Sequence, residues 1–158
     1  MKTIVVVLAV LTLLLAVPQS SNAQLSGMAG IKMGLGIAAG NAGFLIGPGG
    51  ELIFSKKFAI STEFNIGTST GTPVEWVVYG KYFINIPRSI VRPYVDVGPS
   101  LFFFTGGPYF GFRFGGGSLF LIAKDFYLMG DIQAGPTFGT GGGIFIFSIC
   151  AGVRYEFR

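Results

Sequence analysis

Ile144-Phe145-Ile146-Phe147-Ser148-Ile149-Cys150-Ala151-Gly152-Val153-Arg154-Tyr155-Glu156-Phe157 is the stretch whose reading decides the fold. On an extended chain Phe145, Phe147, Ile149, Ala151, Val153, Tyr155 and Phe157 fall on one face, and Ser148, Cys150, Gly152, Arg154 and Glu156 on the other. A period of two is that of a β-strand. The run, positions 144–157, is long for a soluble strand, usually about 5–6 residues. A tilted strand that crosses a bilayer needs about 9–11. A long strand that is apolar on alternate residues turns one face to lipid and the other to a polar interior.

Seven earlier runs share this character: 31–38, 44–54, 58–67, 75–84, 93–104, 109–121 and 126–138, separated by clusters of Gly, Asn, Pro, Thr, Lys and Asp. In the third, Phe58, Ile60, Phe64 and Ile66 oppose Ser61, Glu63 and Asn65. In the fourth, Trp76, Val78, Tyr82 and Ile84 oppose Glu75, Tyr79 and Lys81. In the seventh, Phe126, Leu128, Ile132 and Ala134 oppose Asp131, Gln133 and Thr137. The fold expected is all-β: an eight-stranded antiparallel up-and-down transmembrane β-barrel over residues 24–158.

Residues 1–23 read as a cleavable signal peptide. Met1-Lys2-Thr3 is a short positive start, 4–17 an apolar run broken by Thr12, and Ser21 and Ala23 occupy the −3 and −1 positions of a small-residue cleavage site. The run is too short to span the membrane as a helix, which needs about 20 residues. Processing before Gln24 removes Lys2 and lowers the formal charge from +4 to +3. The chain is 51% hydrophobic yet only 11% charged, with 26 glycines and 17 phenylalanines. So few charges cannot cover a soluble surface, the glycines disfavour helix, and the phenylalanines favour strands.

Lys32, Glu51, Glu63, Glu75, Lys81, Asp96, Arg113, Asp131, Arg154 and Glu156 lie within the runs, and one phase per strand turns all of them inward. Glu75 with Lys81, and Arg154 with Glu156, keep an even spacing without any choice of phase. A buried charge must be paired, and opposite charges on adjacent strands stabilise a sheet. The expected pairing is therefore a ladder of Asp96, Arg113, Asp131 and Arg154 on successive strands, with Glu63 reaching Lys81. This interior network is expected to be structural.

The connections alternate in charge. Ser55-Lys56-Lys57, the 85–92 segment and Ala123-Lys124-Asp125 carry charges, while the other four carry none. With both chain ends in the periplasm, the charged connections are the periplasmic turns. Their basic residues favour anionic head groups by a modest, salt-screened margin. Interfacial aromatics are expected at Phe54, Phe58, Phe126 and Phe157 near the periplasmic ends, and at Trp76, Phe103, Phe110, Phe138 and Phe145 near the outer ends.

Pro93-Tyr94-Val95-Asp96-Val97-Gly98, the Gly115-Gly116-Gly117 strand with the Lys124-Asp125-Phe126 turn, and the closing Val153-Arg154-Tyr155-Glu156-Phe157 resemble the small outer-membrane β-barrel domain of many Gram-negative surface proteins. The resemblance covers nearly all of the chain after position 23. It implies a bacterial outer-membrane protein whose partners are outer-membrane lipids and the barrel assembly and secretion machinery, and which is a monomer. Family members end on an aromatic residue that the assembly machinery recognises; here Phe157 is followed by Arg158.

Motifs for chemistry are weak. Gly34-Leu35-Gly36-Ile37-Ala38-Ala39 matches a dinucleotide-binding spacing but lacks the following helix and acidic residue. The glycines at 47–50 and 139–143 lack the Lys-Ser/Thr of a phosphate loop. The chain has no histidine and one cysteine, Cys150, so Ser-His-Asp catalysis, histidine metal sites and thiolate clusters are excluded. No cofactor, metal site, catalytic residue or nucleic-acid partner is expected. An eight-stranded barrel is just wide enough for side chains to fill, so the interior is expected to be plugged. Gly34, Gly36, Gly98, Gly115 and Gly117 leave room for water or one slim ligand. The expected function is a non-enzymatic structural or surface role. The rivals are a narrow channel for small hydrophobic solutes and a soluble periplasmic barrel that binds an apolar ligand.

Overall fold

The computed structural model describes residues 25–38, 40–68, 72–104, 107–139 and 142–157. The expected signal peptide and Arg158 lie outside these residues, as does part of each uncharged connection. Eight strands form a closed antiparallel barrel in sequence order: β1 (Ser26–Ala38), β2 (Asn41–Ile53), β3 (Phe58–Gly67), β4 (Val74–Phe83), β5 (Val91–Phe104), β6 (Gly107–Ala123), β7 (Phe126–Gly139) and β8 (Gly142–Phe157). β8 pairs with β1 and closes the ring, which leaves no open edge to aggregate.

The barrel's geometry follows from the register. From Gly27 the cross-strand partners run through Leu52, Ile60, Gly80, Val97, Phe114, Ala134 and Phe147, and return to β1 at Ile37. One circuit thus climbs from position 27 to position 37, a stagger of ten residues. Stagger and strand number together set the tilt, typically about 35–45° in a closed barrel.

Alternation holds along each wall. In β4, Glu75, Val77, Tyr79, Lys81 and Phe83 are buried, while Trp76 and Tyr82 are exposed. The strand count and most boundaries agree with the sequence. The main difference is β1, which begins at Ser26 rather than 31. Its first residues carry little alternating signal, but Gly27 and Met28 are held on both sides, opposite Leu52 and Glu51 of β2 and Phe157 and Glu156 of β8. Arg92 belongs to β5 rather than to the preceding turn. A register shift between Leu121 and Ala123 bulges β6 at Ile122, re-aiming the side chain there.

The interior is layered. Met28, Ile53, Ala59, Phe83, Tyr94, Leu119 and Met129, one from each of β1 to β7, form a buried apolar cluster at the end of the charged turns, with Tyr127 packed against it. Phe83 and Tyr94 meet edge to face at 6.1 Å, and the Arg92 guanidinium lies 3.6 Å over the Phe83 ring. The phase of each run puts all residues of this cluster but Met28, which lies before the first run, on the inner face, but says nothing of their depth.

Candidate functional site: the charged lumen

The ten charges read within the sequence runs are all buried, and Arg92, which the structure adds to β5, is half-buried. Glu63 on β3 holds the centre: Lys32 Nζ of β1 lies 2.7 Å from one of its carboxylate oxygens, and Arg154 Nη2 of β8 donates to the other at 2.6 Å. Lys32 also donates to Asp131 of β7 at 3.2 Å. Lys81 of β4 pairs with Glu51 of β2 at 2.7 Å and lies 4.2 Å over the Tyr94 ring. Nearer the uncharged end, Arg113 of β6 pairs with Glu75 of β4 and donates to the Gly135 carbonyl at 2.9 Å. Asn65 donates to the other Glu75 oxygen at 3.3 Å. Gln133 Nε2 donates to both oxygens of Asp96, at 3.0 and 3.1 Å. Tyr127 donates to Glu156 at 2.9 Å.

This pairing replaces the expected neighbour-to-neighbour ladder. Each ion pair among the described residues skips at least one strand and crosses the lumen as a chord. The register explains why. Asp96 stands opposite Gly115, Arg113 opposite Gly98, and Asp131 opposite Gly117 and Cys150, so the ladder residues lie at different depths. Glu63 stands opposite Val77 and Lys81 opposite Ala59, which separates that pair too. Inward side chains converge on a concave wall, and in so narrow a barrel the far side is within reach.

The interior glycines serve the same end. A methyl group added at Gly49 would meet the Arg154 guanidinium at 2.8 Å, and one at Gly117 would meet the Tyr94 hydroxyl at 2.7 Å. At these two positions neighbouring side chains take part of the room, whereas a methyl group at Gly98 would meet the backbone of Val78 and Tyr79. At the uncharged end, Gly36, Leu45, Asn65, Gly67, Phe102 and Ile146 border a recess of about 30 Å³. That is space for a water or two.

The Arg113 pair makes a test. Arg113→Ala leaves the Glu75 carboxylate buried without its cation, which costs several kcal/mol, about 3–5. The thermal unfolding midpoint in detergent should fall well below that of a turn variant such as Lys56→Gln. An unchanged midpoint would show that the pair carries no stability.

Of the nine aromatics expected at the interfaces, Phe58, Trp76, Phe103, Phe110, Phe126, Phe138, Phe145 and Phe157 are exposed on the outer wall. Phe54 is half-buried, just beyond β2. At the turn end Phe58 packs on Tyr82 at 5.2 Å and Phe126 on Tyr155 at 4.9 Å. Trp76 stacks on Phe64 at 5.8 Å, and its indole N–H donates to Thr62 Oγ1 at 2.8 Å. The indole is therefore satisfied within the wall. Sequence reasoning placed Ile84 on the outer face, where it is exposed, but missed the apolar end cluster and the exposed Ile86 and Ile90 of the 84–90 connection. The Ile-x-Ile spacing at Ile84 and Ile86 continues β4's outward phase and was the available signal.

No protein-family model matches this chain, and no curated protein matches it. Solved structures do. The N-terminal β-barrel domain of Pseudomonas aeruginosa OprF is similar with a TM-score of 0.62 at 14% identity, over 84% of this chain and 97% of that one. Neisserial surface protein A gives 0.63 at 13% identity, over 84% and 97%. A de novo designed transmembrane β-barrel gives 0.60 at 15% identity, over 84% and 95%. One of these three is a designed chain, so the likeness speaks of architecture: the small eight-stranded outer-membrane β-barrel.

Proposed function

We propose that this chain, an eight-stranded barrel of outer-membrane type, is an integral protein of the bacterial outer membrane with a non-enzymatic structural or surface role and a plugged interior. The observation that carries the reading is the contrast between the two faces of one wall. Every strand charge turns inward, while large apolar side chains such as Leu35, Phe64, Val97, Phe114, Ile132 and Ile149 are exposed outward on β1, β3, β5, β6, β7 and β8. So much exposed apolar surface marks a lipid contact. A soluble barrel that holds an apolar ligand needs the reverse.

The plug has two layers, the apolar cluster at the turn end and the chordwise ion pairs beyond it. A recess with room for a water or two favours closure over a solute conduit. Residues 1–23 act as the export signal, the charged turns face the periplasm, and the outer-wall aromatics near the strand ends form the interfacial girdles. The strand bounds leave only two residues each for the β1–β2, β5–β6 and β7–β8 connections, which argues against adhesion through protruding loops. The absence of histidine supports a role without catalysis.

Cell fractionation followed by electrophoresis with and without boiling tests this. The expected result is an outer-membrane protein whose mature chain begins at Gln24 and whose mobility shifts on boiling, with no conductance when reconstituted in planar bilayers. Recovery in the soluble periplasm without a shift would overturn the membrane reading, and a steady single-channel conductance would overturn the plug.

A further inference from the structure

We propose that the 84–90 connection and the cations flanking it form an interfacial anchor that binds anionic phospholipid head groups at the turn end of the barrel. The proposal rests on the membrane reading above and adds to it a lipid class and the residues that select it.

The connection is unusual in what it exposes. Ile84, Ile86 and Ile90 all lie beyond the ends of β4 and β5, and all are exposed, Ile90 to 66%. The segment is nonetheless fixed. Ser89 donates its N–H to the Ile86 carbonyl at 3.3 Å, the Ser89 hydroxyl accepts from Val91 N at 3.0 Å, and Leu121 N donates to the Ile90 carbonyl at 2.9 Å. That last bond brings Ile90 beside the β6 bulge, where Leu121 and Ile122 are also exposed. The connection thus holds exposed aliphatic side chains at the turn end, beside those of the β6 bulge.

Cations surround the patch. Arg88 occupies the tip of the connection, with a left-handed φ of 60°. On one side Lys56 and Lys57 are tied to it, because Phe83 N donates to the Lys57 carbonyl at 2.7 Å and Arg92 Nη2 donates to the Lys56 carbonyl at 3.2 Å. On the other side Lys124 follows the bulge. Lys56, Lys57, Arg88 and Lys124 are exposed, and Asp125 is the one carboxylate in these three connections. The connections at the opposite end carry no charge. Apolar side chains at acyl depth beneath a rim of lysine and arginine are how a surface element seats in an interface. Lysine and arginine donate charge-assisted hydrogen bonds to phosphate, and a negatively charged head group adds an attraction that the zwitterionic one lacks.

The barrel refolded into phosphatidylcholine vesicles, with and without phosphatidylglycerol, provides the test, read by the association of spin-labelled lipids. Phosphatidylglycerol should associate more tightly than phosphatidylcholine, by about fivefold for each basic residue that reaches the phosphate layer. The preference should collapse in high salt and in the combined variant Lys56→Gln, Lys57→Gln, Arg88→Gln, Lys124→Gln. Tryptophan placed by Ile86→Trp in a Trp76→Phe background should be quenched by lipids brominated near the head group. Equal association of the two lipids, a preference that survives the combined variant, or a water-exposed, unquenched tryptophan would each overturn the anchor. The boiling shift separates this from failure of the membrane reading. A barrel that folds in both vesicle types without lipid preference loses only the anchor, whereas one that folds in neither loses both.

Discussion

Glu63→Ala is expected to lower folding stability by about 3–5 kcal/mol, because it strips the shared partner from two buried cations at once. Lys32 and Arg154 meet at this one carboxylate, at 2.7 and 2.6 Å. Lys32 keeps Asp131 at 3.2 Å, but Arg154 is left, among the described residues, with the Met129 sulfur as its remaining side-chain hydrogen-bond partner, at 3.4 Å. A buried guanidinium without a carboxylate bears most of the cost. Denaturant unfolding of the detergent-folded barrel, followed by circular dichroism, measures it. Glu63→Gln should be nearly as damaging, because the amide restores hydrogen bonding but not charge. The double variant Glu63→Gln, Arg154→Met should recover part of the loss, since an apolar isostere of a buried pair is often neutral. If Glu63→Ala unfolds with the wild-type midpoint, the chordwise network is not what holds the lumen together.

Ile132→Arg, a change on the opposite face of the same wall, separates a membrane barrel from a soluble one. Ile132 is 49% exposed, and it stands in the middle of β7 between Gly116 of β6 and Ile149 of β8. On a soluble protein such a substitution usually falls within about ±0.5 kcal/mol. Facing hydrocarbon near the midplane, an arginine costs about 2–4 kcal/mol, falling to about 0–1 near the interface. The expected result in lipid vesicles is therefore a large loss for Ile132→Arg and a small one for Phe157→Arg at the strand end. Equal, negligible losses at both positions would mean that the outer wall does not face lipid.

The two substitutions address the two sides of one pattern, and that pattern was legible in the sequence. The alternation in 144–157 reappears as β8, Gly142–Phe157, with Arg154 and Glu156 buried and Phe145, Phe147 and Ile149 exposed. The even spacing of Glu75 and Lys81 put both on the inner face of β4, where both are buried. Facing is legible because a residue's side of a strand depends only on whether its position is odd or even along a continuous run. The weak start of β1 was not legible, because Gly27 and Gly30 have no side chain to signal a side and Met28 lies apart from the alternating run. Only pairing with β2 and β8 extends the strand that far.

Depth and partnership were decided by tertiary structure. By itself the sequence determined eight strands, their inward and outward faces, the full set of buried charges and the division into charged and uncharged ends. Each of these is a property of one run or one connection taken alone. Which carboxylate meets which cation depends on the stagger of ten residues around the ring and on a lumen narrow enough for side chains to cross it. The apolar closure at the turn end likewise exists only once seven strands bring one residue each to the same depth. Lys32, Glu63 and Arg154 lie far apart in the chain, and strand periodicity carries no term that relates them. Closing the barrel fixes their relative heights, and the cost of a buried unpaired charge then joins them.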